Sequence, residues 1–133
     1  MLVLDASAAV DLLARTTRGT QVAGQLADDD AVAPELLDVE VLSGLWRLVR
    51  AGELTEAAAQ TAAARLGTMP VLRIRHHLLR EQAWALRHRV RIADAFYVSA
   101  ARLVGGVLIT TDGRLARAPL PGVSVTCLGG TSG

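Results

Sequence analysis

With 133 residues the chain is long enough to bury one hydrophobic core and too short for two. At 51% hydrophobic residues it falls outside the disordered class, and no apolar run approaches the roughly 20 residues of a membrane span. A net charge of +1 hides a skew, because all 14 basic residues are Arg and none is Lys.

Residues 1–4 (Met1-Leu2-Val3-Leu4) are apolar and followed by polar residues, the pattern of a buried parallel strand. Asp5-Ala6-Ser7 opens a helix to about Arg15, with Asp5 or Ser7 available as N-cap. A second helix covers roughly Thr20 to Leu26, and Asp28-Asp29-Asp30 makes a charged turn. Ala31-Val32-Ala33 is a short second strand. Pro34 suits the first turn of a helix that runs to Ala51, before Gly52. Thr55 caps an Ala-rich helix to Leu66, and Val71 to Ile74 is a third strand after Pro70. One helix is expected from His76 to His88 and another from Asp94 to Val104, ended by Gly105-Gly106. Val107 to Thr110 is a fourth strand, Arg114 to Arg117 a helical turn, and Val123 to Leu128 a fifth strand. The expected class is therefore α/β: one domain over residues 1–128, with a central parallel sheet of about four to five short strands covered by helices. Residues 129–133 are expected to form a loose tail. With no leader-like segment before the first strand, and a lone Cys127 that reads as a buried thiol, the expected location is the cytoplasm.

Four acids fall where such a fold converges. Asp5 ends the first strand, and Asp112 ends the run Val107-Leu108-Ile109-Thr110-Thr111. Asp94 begins a helix, and Glu40 borders the apolar helix face of Leu37, Val41, Gly44, Leu45 and Leu48. In open parallel sheets, ligands bind beyond the carboxyl ends of the strands, where strand order reverses. Each acid has an ordinary alternative: Asp5 and Asp94 as N-caps, Asp112 before Gly113 as a turn residue. Together they are harder to dismiss. Two carboxylates ~5 Å apart repel by about 3 kcal/mol at an effective dielectric near 20. Four of them call for a hard divalent cation or a retained proton.

The segments Val3-Leu4-Asp5-Ala6-Ser7-Ala8, Pro34-Glu35-Leu36-Leu37-Asp38-Val39-Glu40, Ile92-Ala93-Asp94-Ala95-Phe96-Tyr97 and Leu108-Ile109-Thr110-Thr111-Asp112-Gly113-Arg114-Leu115 resemble the signature blocks of PIN domains. In order, spacing and short length they most resemble VapC-type toxins of bacterial toxin–antitoxin pairs. The resemblance spans essentially the whole chain. It implies a Mg²⁺- or Mn²⁺-dependent endoribonuclease, a VapB-type antitoxin partner and a toxin homodimer. It also implies that Asp5, Glu40, Asp94 and Asp112 form the catalytic and metal-binding quartet, with Ser7 and Thr111 as supporting hydroxyls. Some PIN domains carry a further acid after the last of these; here Leu115 and Ala116 stand there.

Setting the quartet aside from the 13 acids leaves nine against 14 Arg, an excess suited to an anionic polymer. Arg89, Arg91, Arg114 and Arg117 flank Asp94 and Asp112 and are the candidates for RNA phosphate contacts. His76, His77 and His88 lack a matching ligand set and read as structural or surface residues. Tyr97, one turn from Asp94, reads as core with base stacking as its alternative. Val39, Leu42, Trp46 and Val49 form a second apolar stripe on the Glu40 helix. Such a stripe is either buried on both sides or a groove for an antitoxin helix.

Other chemistries fit less well. A phosphoacceptor receiver and a P-loop NTPase both need a Lys, and the latter needs its Gly-rich loop. An Asp-nucleophile phosphohydrolase needs Asp-x-Asp where Asp5-Ala6-Ser7 stands. The alternative that keeps the fold is a PIN-type nuclease acting on structured DNA or in RNA processing without a toxin role; those acting on structured DNA usually carry helical insertions for which this chain has no room.

Overall fold

The computed structural model describes residues 1–129. Its first strand, β1 (Leu2–Leu4), is buried at every residue and lies at the centre of a five-stranded sheet. Helices α1 (Ala6–Leu13) and α2 (Thr17–Leu26) lead to β2 (Ala31–Pro34); α3 (Leu37–Arg50) and α4 (Glu56–Leu66) lead to β3 (Val71–Ile74). A 3₁₀ turn (His76–Leu78), α5 (Arg80–Ala85) and α6 (Ile92–Val104) then cross to β4 (Val107–Thr110), and α7 (Gly113–Arg117) precedes β5 (Ser124–Cys127). All pairings are parallel, in the order β3-β2-β1-β4-β5, with Leu2 opposite both Ala31 and Val107.

That order decides where a site can form. From β1 the chain steps outward to β2 and β3, then jumps back past β1 to β4. Right-handed crossovers in opposite directions put α1–α4 on one face and α5–α7 on the other. The faces part at the carboxyl ends of β1 and β4, which is the switch point of the sheet. Between the layers lies one core, from Val3 and Leu4 through Leu37 and Val41 to Val98 and Ile109.

The expected strands and helices are present, with three corrections. Pro34 does not start α3 but closes β2, opposite Ile74. The missing N–H costs no ladder bond: pairing of β2 with β1 ends at Val32, and Glu35 N–H reaches the Ile74 carbonyl. The single helix expected from His76 to His88 is broken. His76 N–H donates to Glu35 Oε1, and His76 Nε2 accepts from Leu36 N–H at 2.8 Å. These bonds to the β2–α3 loop hold the chain in a 3₁₀ turn, so α5 starts afresh at Arg80. Finally, α6 begins two residues before Asp94, which sits inside its first turn rather than capping it. The tail expected over 129–133 lies, apart from Gly129, outside the described residues.

Candidate active site

Asp5 follows β1 directly and is 5% exposed, the one buried carboxylate among the described residues. It occupies the N-cap position of α1, yet its side chain does not cap the helix. Oδ2 instead accepts from Ser7 Oγ at 2.7 Å and from Thr110 Oγ1 at 2.8 Å. Both hydroxyls also accept: Ser7 Oγ from Thr111 N–H across the switch point, and Thr110 Oγ1 from Asp112 N–H two residues on at the end of β4. The ends of β1 and β4 are thus laced together by hydroxyls, with the Asp5 carboxylate as their common acceptor.

The other acids arrive from three more elements. Glu40 stands in the first turn of α3, which meets α1 at Gly44; a Cβ there would come within 2.9 Å of Val10 Cγ2. That close approach, one turn along from Glu40, brings the glutamate into the cavity that Asp5 lines. Asp94, in the first turn of α6, is paired with Arg91, Nε to Oδ2, at 3.1 Å. Asp112 caps α7 by accepting from Arg114 N–H at 2.9 Å, and Arg114 Nη2 lies 3.4 Å from its Oδ2. The four carboxylates line one cavity of about 470 Å³, with Ser7 and Thr111 beside them.

The electrostatics are those of crowded acids. Burial pushes the Asp5 carboxyl up from its ordinary range; Ser7 and Thr110 oppose this, and Asp94 adds to it. Burial also pushes Glu40 up, with Tyr97 lowering it and Asp5 and Asp94 raising it. Arg91 is held charged by Asp94.

A hard, oxygen-seeking ion suits this donor set, because no His or Cys lines the cavity. The carboxylates do not form a tight cage: among the described residues, no three Asp, Glu, His or Cys side chains close on a common point. Asp5 is turned to its two hydroxyls, and Asp94 and Asp112 to their arginines. Separated carboxylates around a polar cavity fit an ion that keeps several waters, as Mg²⁺ does.

Residues 2–120 match the family model for the PIN domain. Ribonuclease VapC3 of Mycobacterium tuberculosis is 48% identical over 118 residues, covering 88% of this chain and 86% of that protein. This chain belongs to the PIN-domain family, among the VapC proteins. Ribonuclease VapC12 of the same organism is 36% identical over 117 residues, covering 88% of this chain and 91% of the relative. In fold it is similar to a chain of a toxin-antitoxin complex from Klebsiella pneumoniae, with a TM-score of 0.69, 19% identity and coverage of 92% and 95%.

This PIN domain also holds residues that sequence reasoning missed. Asp11, Arg18 and Arg47 line the acidic cavity. Asp11 Oδ2 accepts from Thr111 Oγ1 at 2.7 Å, and its Oδ1 from Thr16 Oγ1 at 2.8 Å. Helical spacing carried two of these signals, since Asp11 is four residues from Ser7 and Arg47 seven from Glu40. Arg18 has no such signal, because α2 reaches the site only through the tertiary fold.

The remaining candidates separate cleanly. Arg89, Arg91 and Arg114 line a shallow groove with Arg87 and His88; it shares Arg91, Asp94 and Arg114 with the acidic cavity. Arg117 lines neither and lies against Gly113. Tyr97 is fully buried, so base stacking is excluded. On α3, Val39, Leu42 and Trp46 are 67%, 49% and 53% exposed, while Val49 packs partly against the core. Burial on both sides therefore does not account for the stripe.

Proposed function

We propose that this protein is the toxin of a toxin–antitoxin pair, an endoribonuclease that hydrolyses RNA phosphodiester bonds with Mg²⁺ or Mn²⁺ held by Asp5, Glu40, Asp94 and Asp112. The observation that carries this reading is the convergence of four carboxylates, from four separate elements, on one cavity at the switch point of the sheet. Support comes from two relatives named as ribonucleases and from the toxin–antitoxin complex that shares the fold.

When bound, the ion would supply a water acidified toward hydroxide and positive charge opposite the phosphate. The residues supply the rest. Asp5 is fixed by Ser7 and Thr110, so its carboxylate is preorganised before any ligand arrives. Arg18, Arg47, Arg91 and Arg114 stand among the five acids of the cavity and offset the field that would repel an RNA strand. Arg89, Arg91 and Arg114 hold phosphates of the flanking strand along the adjoining groove. The exposed α3 stripe receives a VapB-type antitoxin, and a homodimer of the toxin forms within that complex. The site of action is the cytoplasm, and among the described residues no helix is long and apolar enough to cross a membrane.

The test is cleavage of RNA by the purified protein. Asp5→Ala and Asp94→Ala proteins should lose cleavage while keeping their circular dichroism spectrum, and excess EDTA should silence the parent. Cleavage that persists in either variant or in EDTA sinks the proposal.

A further inference from the structure

Among the described residues, two buried side-chain oxygens have no hydrogen-bond partner: the Tyr97 hydroxyl and Ser99 Oγ, both on α6. A buried hydroxyl left unpartnered destabilises a protein, and Phe would fill the space of Tyr97 without that cost. What the hydroxyl faces is therefore informative. Tyr97 lies three residues beyond Asp94, on the same side of α6. The charged groups around its oxygen are Glu40 foremost, then Asp5 and Asp94.

Glu40 is the complementary anomaly. Asp5 accepts from Ser7 and Thr110, Asp94 from Arg91, and Asp112 from Arg114. Glu40 is also the longest side chain of the four, with the most rotamers to fix. The neighbour that most opposes the rise of the Glu40 carboxyl is the Tyr97 hydroxyl, and no hydrogen bond is closed between the two. A tyrosine hydroxyl carries its proton at neutral pH, so the oxygen remains a donor.

We propose that Tyr97 is a positioning residue of this site, its O–H the donor reserved for Glu40, where it fixes the direction in which that carboxylate enters the cavity. The inference rests on the metal-site reading above and assigns the fourth carboxylate the anchor that the other three visibly possess. Ser99 provides the internal comparison. It is equally buried and unpartnered on the same helix, but it stands five residues beyond Asp94 and so on another side of α6.

The experiment compares the parent, Tyr97→Phe and Ser99→Ala by Mn²⁺ titration without RNA, by thermal unfolding in EDTA, and by RNA cleavage. Tyr97→Phe should bind Mn²⁺ roughly ten-fold more weakly and lose a similar factor in kcat with KM for RNA unchanged, as expected when the partner of a ligand is removed. Its Tm should hold or rise. Ser99→Ala should match it in stability yet bind Mn²⁺ as the parent does. If the parent binds Mn²⁺ and Tyr97→Phe binds it within about two-fold, the assignment of Tyr97 is overturned while the metal site stands. If the parent itself binds no Mn²⁺, the metal-site reading fails and takes this inference with it.

Discussion

Asp5 combines burial with two hydroxyl bonds, and the two act in opposite directions on its charge. Burial wins, so its carboxyl sits above the ordinary range, and Glu40 follows it for the same leading reason. An acid whose folded pKa is raised holds its proton longer in the native state than in the unfolded chain. Its contribution to stability is complete below the unfolded value of about 4 and is lost as pH rises through the raised folded value. In EDTA, the Tm of the parent should therefore fall as pH climbs from about 4 toward neutrality. Asp5→Asn, which carries no charge to bury, should melt higher than the parent at neutral pH and show a flatter profile. Superimposable Tm–pH profiles for the two proteins would remove Asp5 as a source of strain.

The helix α3 has two apolar faces with different fates. Leu37, Val41 and Leu45 are sealed in the core, and that side aims Glu40 at the cavity. The other side leaves Val39, Leu42 and Trp46 in solvent. On the antitoxin reading, Trp46→Ala should weaken antitoxin binding by about 2 kcal/mol or more, the cost of losing a buried aromatic anchor. The Tm of the free toxin should move little, because the indole is already half exposed. A large loss of stability with antitoxin affinity unaltered would show Trp46 to be a core residue after all. Elements such as α3 and the five strand runs were legible because their patterns are local: apolar runs and faces, a cap at Thr55, glycines after α3 and α6. The quartet was legible for a related reason, since each acid stands at an element's end or first turn, where the fold class alone says ligands gather. What could not be read were features set by distant contacts. His76 interrupts its own helix because Glu35 and Leu36 lie some forty residues away in sequence and beside it in space. Tyr97 is core, as its place in the helix pattern implies, but that its buried hydroxyl lacks a partner is visible only in the fold.

At the scale of the molecule, an acidic cavity opens onto a basic groove, and the two share Arg91, Asp94 and Arg114. On the proposed reading, an RNA strand lies along the groove with one phosphodiester at the carboxylates. Ala substitution of Arg89, Arg91 or Arg114 should weaken RNA binding and reduce the slope of log affinity against log salt by about one each. Arg117→Ala, lying outside both, should leave the slope unchanged; equal effects at all four would mean a diffuse charge field instead of a track. The sheet that carries this surface has another consequence, which concerns time. Its central strand is made before the other four strands of the sheet, and the partner on one side, β4, follows about a hundred residues later, Leu2 pairing with Val107. Until that late strand docks, one edge of β1 stays open, and Asp112 has not yet been synthesised. A growing chain therefore carries at most three of its four acids until then, with no means of assembling the set. The enzyme on this reading is inert through most of its own translation, which gives a cell that makes a poison an interval in which to have its antidote ready.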